Sequence, residues 1–134
     1  MRPESTTYRL ARPGGEYNKL YAMARRAGGE CPKGSLGWPT VVAERDGEVI
    51  GFCSTIPAND AIWAGPLVIE GGRNPFVFIR LAEAYENVMR AAGVKVFLHG
   101  IRKDNMRHVV MMEKLGFRQV GEQGNSYIMR RELQ

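Results

Sequence analysis

The sequence predicts an α/β (α+β) domain, a mixed β-sheet flanked by helices. Three stretches carry that expectation. Residues 40–54 read as a β-hairpin closed on Asp46-Gly47. Residues 62–99 read strand, glycine turn, long helix, strand, an order that makes the two strands parallel. Residues 105–117 read as a short helix stopped by Gly116. At 134 residues the chain is expected to form a single domain, 1–134, large enough to bury a core.

In chain order, Tyr8-Arg9-Leu10-Ala11-Arg12 alternates weakly as a first strand and Pro13-Gly14-Gly15 breaks it. Residues 16–27 form a helix, with Tyr17, Leu20, Tyr21 and Ala24 on one apolar stripe and Gly28-Gly29 as its end. Residues 30–39 are a loop, either a substrate-side lid or a plain connection anchored by Trp38. The hairpin strands span 40–45 and 48–54, and Pro57-Ala58-Asn59-Asp60 turns the chain again. The strand at 62–69 contains Gly65-Pro66, and a proline there points to a bulge or a strand end.

Pro75 suits the first turn of the long helix, 76–92, whose apolar face is Phe76, Ile79, Leu81, Ala82, Tyr85, Val88 and Met89. Gly93 stops it, and 95–99 is the β-rich run that follows. Asn105 caps the short helix, which carries Val109, Met112 and Leu115 inward. Val120 and Tyr127-Ile128-Met129 mark two closing strands.

Composition narrows the class. Lys and Arg number 19 against 14 acidic residues, a formal charge of +5 that suits a phosphate-bearing partner as well as it suits a solvated surface. No stretch is apolar enough to span a membrane, and the first residues lack the apolar core of a secretory leader, so a cytoplasmic protein is expected. Cys31 and Cys53 lack metal-site spacing and read as free thiols with no partner base.

The chemistry concentrates after the strand at 62–69. That strand delivers Glu70-Gly71-Gly72-Arg73-Asn74-Pro75 into a helix N-terminus, where free N–H groups and the helix dipole favour an anion. Two further stretches resemble the GNAT superfamily of acyl-CoA-dependent N-acyltransferases. Glu44-Arg45-Asp46-Gly47-Glu48-Val49-Ile50-Gly51-Phe52 is similar to its second hairpin. Asp104-Asn105 followed by Met112-Glu113-Lys114-Leu115-Gly116-Phe117 resembles its N…YEKLGF ending.

The resemblance implies a splayed mixed sheet whose central strand, at Leu67, Val68 and Ile69, pairs its backbone with the pantetheine arm of acetyl-CoA. It also implies a pyrophosphate cradle in Gly71, Gly72, Arg73, Asn74, Pro75 and Phe76, with Asn105 and Met112 approaching the cofactor and Lys103 and Arg107 near its phosphate end. Arg73 fits the first position of the family's phosphate loop, while Phe76 and Phe78 occupy its glycine positions. Met112 stands where the family often has a tyrosine that protonates the leaving thiolate, and a thioether has no proton to give.

The function implied is transfer of an acetyl group from acetyl-CoA to a primary amine. Such a transfer needs a neutral amine, a polarised carbonyl and alignment of the two. Glu70 is the first candidate base, with Glu44 and His99 as others; each also has an ordinary structural role open to it. The expected partner is a small-molecule or peptide amine, with no membrane, nucleic acid disfavoured, and a homodimer left open. A CoA-binding but catalytically weak sensor or interaction module is the alternative, because of Phe76, Phe78 and Met112.

Overall fold

The computed structural model describes residues 6–29, 31, 35–58, 60–70 and 75–133. Its elements are β1 (Thr6–Leu10), α1 (Gly15–Arg26), β2 (Val41–Arg45), β3 (Glu48–Ala58), β4 (Ala61–Ile69), α2 (Pro75–Ala91), β5 (Val96–Arg102), α3 (Met106–Lys114), β6 (Arg118–Gln123) and β7 (Ser126–Glu132). The strands form one seven-stranded sheet in the order β1-β2-β3-β4-β5-β7-β6. Neighbours are antiparallel except β4 and β5, which run parallel because α2 crosses between them. This is the mixed sheet with flanking helices that the sequence predicts.

The sheet separates two cores. On one face, α2 and α3 bury Val77, Leu81, Tyr85, Met89, Val109 and Met112 against strand residues such as Cys53, Phe97 and Met129. On the other face, Leu20, Met23 and Ala24 of α1 meet Val42, Phe52 and Val68, with Leu36 closing the cluster. Alternation along β4 assigns the faces: Val68 joins the α1 side, while Leu67 and Ile69 pack toward the α2 side.

Several boundaries move from their sequence positions. β3 runs on past Ser54 to Ala58, because residues through Pro57 and Ala58 still pair with Ile62 and Ala61. β5 extends to Arg102 because β7 covers its whole length, from Val96↔Glu132 to Arg102↔Ser126. Phe76, expected on the buried face of α2, is 68% exposed. The buried row is Val77, Leu81 and Tyr85, and Phe76 lies one residue, about 100°, off it. Trp38 is also exposed; the anchor of its loop is Leu36, at 1% exposure.

The bulge expected at Gly65-Pro66 is present. Cys53 pairs with Leu67 and Thr55 with Ala64, so two residues of β4 face Ser54 alone. The Ser54 hydroxyl donates to the Gly65 carbonyl at 2.8 Å and so takes up a carbonyl freed by the irregularity. Gly65 has φ of +132°, a conformation that side chains disfavour.

Candidate active site

The parallel pair is where the sheet opens. β4 and β5 share one register pair, Trp63↔Leu98, and diverge beyond it. On its other edge β4 continues to pair with β3 through Ile69. The Glu70 N–H donates to Ile50 O at 2.7 Å, which sets the phase of that antiparallel ladder. Val68 and Glu70 then turn their backbone groups toward β3, and Leu67 and Ile69 turn theirs toward the gap beside β5. Among the described residues, no strand meets that edge.

The gap is a groove of about 790 Å³ lined by Leu67, Ile69, Pro75, Phe78, Asn105 and His108, with Arg102, Asp104, Arg107 and Met111. Two helices begin on it, α2 at Pro75 and α3 behind Asn105. Asn105 Oδ1 accepts from the His108 N–H at 3.2 Å, the expected N-cap. Both helix N-termini present partial positive charge to the groove, and Arg107 adds formal charge, while Arg102 is paired with Asp104 at 2.9 Å. A second recess, of about 750 Å³, lies at the opposite ends of β4 and β5, beside the turn residues Pro57, Ala58 and Asp60 and beside Arg130.

The groove thus gathers four of the expected cofactor residues: Leu67, Ile69, Pro75 and Asn105. Val68 faces the α1 core instead. Gly71, Gly72, Arg73 and Asn74 lie outside the described residues. Phe76 points off the buried row of α2, and its neighbour Phe78 lines the groove in its stead. Met112 is 2% exposed, packed with Val109 and Phe117 in the α2-side core, so its thioether fills the interior and does not line the groove.

The candidate bases separate in the same way. Glu70 is gripped by Arg26 of α1 through two hydrogen bonds of 2.7 and 2.9 Å. That pairing holds its carboxyl below the usual carboxylate range, which works against proton abstraction. Glu44 accepts from Arg9 Nε at 3.1 Å on β2, away from the groove. Lys103 pairs with Glu122 and lies over the Tyr127 ring.

His99 is 5% exposed and its Nδ1 lies 2.9 Å from Ala64 O. A carbonyl only accepts, so Nδ1 carries the proton and Nε2 is left with a lone pair. Its ring centroid lies 5.3 Å from that of His108, and His108 in turn meets Phe78 edge-on at 5.4 Å. The Nε2 atoms of both histidines are buried with no hydrogen-bond partner among the described residues. Burial pushes His99 below the ordinary histidine range, against the smaller effect of the Ala64 bond. Burial, with His99 beside it, pushes His108 down to about 4. Both rings are therefore neutral at pH 7.

The sequence alone gives His108 no signal beyond helix surface and packing. The signal that could have found it is its spacing, four residues before Met112 and therefore on the same helix face. No group of three or more His, Cys, Asp or Glu side chains among the described residues could hold a metal.

Solved structures share the fold over nearly the full chain. Ard1 from Thermoplasma volcanium aligns with a TM-score of 0.79 at 20% identity, covering 98% of this chain and 99% of that one. The ribosomal-protein-S18-alanine N-acetyltransferase from Escherichia coli aligns with a TM-score of 0.78 at 14% identity, covering 95% and 93%. The chain has the GNAT fold. A GNAT-fold structure that holds coenzyme A, the PaiA N-acetyltransferase from Thermoplasma acidophilum, aligns with a TM-score of 0.76 at 16% identity over 97% of this chain and all of that one, 100%. No family model and no curated protein matches the sequence.

Proposed function

We propose that this chain is a GNAT-type N-acetyltransferase, moving an acetyl group from acetyl-CoA to a primary amine of a small molecule or peptide. The observation that carries the proposal is the β4–β5 gap: the free backbone edge of Leu67 and Ile69 faces a groove on which two helices begin. A pantetheine arm carries amides that can pair with such an edge as a strand would. Bound there, acetyl-CoA supplies an activated acyl group. Leu67 and Ile69 orient it, a β4 N–H polarises its carbonyl, and Pro75, Asn105 and Arg107 face its charged end.

Gly71, Gly72, Arg73 and Asn74, which precede α2 in the sequence, complete the proposed cradle. A cytoplasmic, single-domain enzyme that works as a monomer or a homodimer fits this proposal. Calorimetric titration with acetyl-CoA tests it: saturable binding with a raised melting temperature is expected, and no binding at millimolar ligand would refute it. Arg73→Ala should weaken that binding and flatten its salt dependence without lowering the melting temperature of the unliganded protein. Affinity within twofold of the parent would remove Arg73 from the cradle.

A second reading, a CoA-binding module with little catalysis, draws on the burial of Met112 and the Arg26 grip on Glu70. Binding of acetyl-CoA without thiol release in the presence of primary amines would favour it.

A further inference from the structure

We propose that His108 is the proton carrier of this site, packed against His99; this rests on the acetyltransferase reading above. Three geometric observations support it. His108 lines the groove beside Leu67 and Phe78, where the acyl end of a bound pantetheine arm would lie. Its Nε2 is shut from solvent and has no partner among the described residues, which leaves Nδ1 as the nitrogen that can meet the groove. Behind it stands His99, whose tautomer is fixed by Ala64 O and whose own Nε2 is a bare acceptor.

The two rings pack with their centroids 5.3 Å apart and their planes tilted by 59°. Ala64 O accepts from His99 Nδ1–H. His99 Nε2 and His108 Nε2 are both without a hydrogen-bond partner among the described residues, so the two rings meet by packing. A His108 protonated on Nε2 presents the Nδ1 lone pair to the groove. There it accepts the proton that the amine nitrogen sheds as the new carbon–nitrogen bond forms. It returns that proton to the sulfur as the carbon–sulfur bond breaks and the bonding electrons go to sulfur. The products are an amide and a thiol, and His108 ends as it began. One side chain thereby supplies the proton that Met112 cannot.

The test uses the full chain, acetyl-CoA and a panel of primary amines, with thiol detection. His108→Gln should bind acetyl-CoA within about twofold of the parent and release thiol about 100-fold more slowly. His108→Ala should be slow in the same way and regain rate with added imidazole, a rescue that a packing role would not give. If the parent protein binds acetyl-CoA but turns over none of the amines, nitrogen NMR of the labelled histidines decides. A shift of the His108 Nδ1 resonance on acetyl-CoA binding supports the proposal, and an unmoved resonance overturns it. Wild-type rates in His108→Gln also overturn it and leave the acetyltransferase reading intact. Failure of the parent to bind acetyl-CoA refutes that reading itself.

Discussion

At Met112 the resemblance to GNAT enzymes and the packing pull apart. The family position faces the leaving sulfur, yet here Met112 lies in the core that also holds Val109 and Phe117. Tyrosine at this point adds bulk and a hydroxyl to a buried position whose adjoining recess is only about 20 Å³. Met112→Tyr is expected to destabilise the fold by about 1–3 kcal/mol with no gain in thiol release. Chemical denaturation and a thiol assay on the same variant check both halves. Two other side chains govern the response to acid. His108 has a depressed folded pKa, so the unfolded chain binds its proton more readily. Its contribution is complete above about 6.5 and is lost as pH falls from there to about 4. Glu16, held by Arg9 and by the Arg12 N–H, is lowered from 4.5 to about 2. Its contribution is complete above 4.5 and is lost between there and about 2. Melting temperature should therefore fall in two stages on acidification, and His108→Gln should shrink the upper stage, which the buried His99 shares, and leave the lower stage in place.

Among the elements, α3 ties the cap to the site. Asn105 accepts from the backbone N–H of His108, so the same hydrogen bond that starts the helix also fixes where the His108 ring begins. Asn105→Ala should cost about 0.5–2 kcal/mol in stability and weaken acetyl-CoA binding as well, measured by denaturation and titration of one preparation. This cap was legible in the sequence, as were α1, α2 and the Asp46-Gly47 hairpin, because capping, periodicity and turn chemistry are local. Even the bulge at Gly65-Pro66 could be read from proline's missing donor. The ends of β3 and β5 could not, since Pro57 reads as a breaker until its partner Ile62 is known and Gly100 reads as a stop until β7 lies beside it. The pairing of His99 with His108 was hidden for the same reason. Nine residues and two different elements separate them, and only the packing of α3 on β5 brings the rings together. Glu70 stood beside the right turn in sequence, but its carboxylate is held by an α1 arginine 44 residues away.

For the whole molecule, the single register pair Trp63↔Leu98 means that the sheet is two hydrogen-bonded blocks, β1 to β4 and β5 to β7. What joins them is mostly side-chain packing: Cys53 and Ala64 from one block and Phe97, Ile101 and Met129 from the other share a core with α2 and α3. A seam held by packing loosens when the core is thinned, whereas a seam held by a ladder opens only by breaking hydrogen bonds. Deuterium uptake should show this directly. The amides of Leu67 and Ile69 should exchange fast in the free protein while those of Val68 and Glu70 are protected, an alternation set by which edge each N–H faces. A ligand lying along β4 should erase the alternation and make the two blocks exchange as one, acting as the missing eighth strand of the seven-stranded sheet.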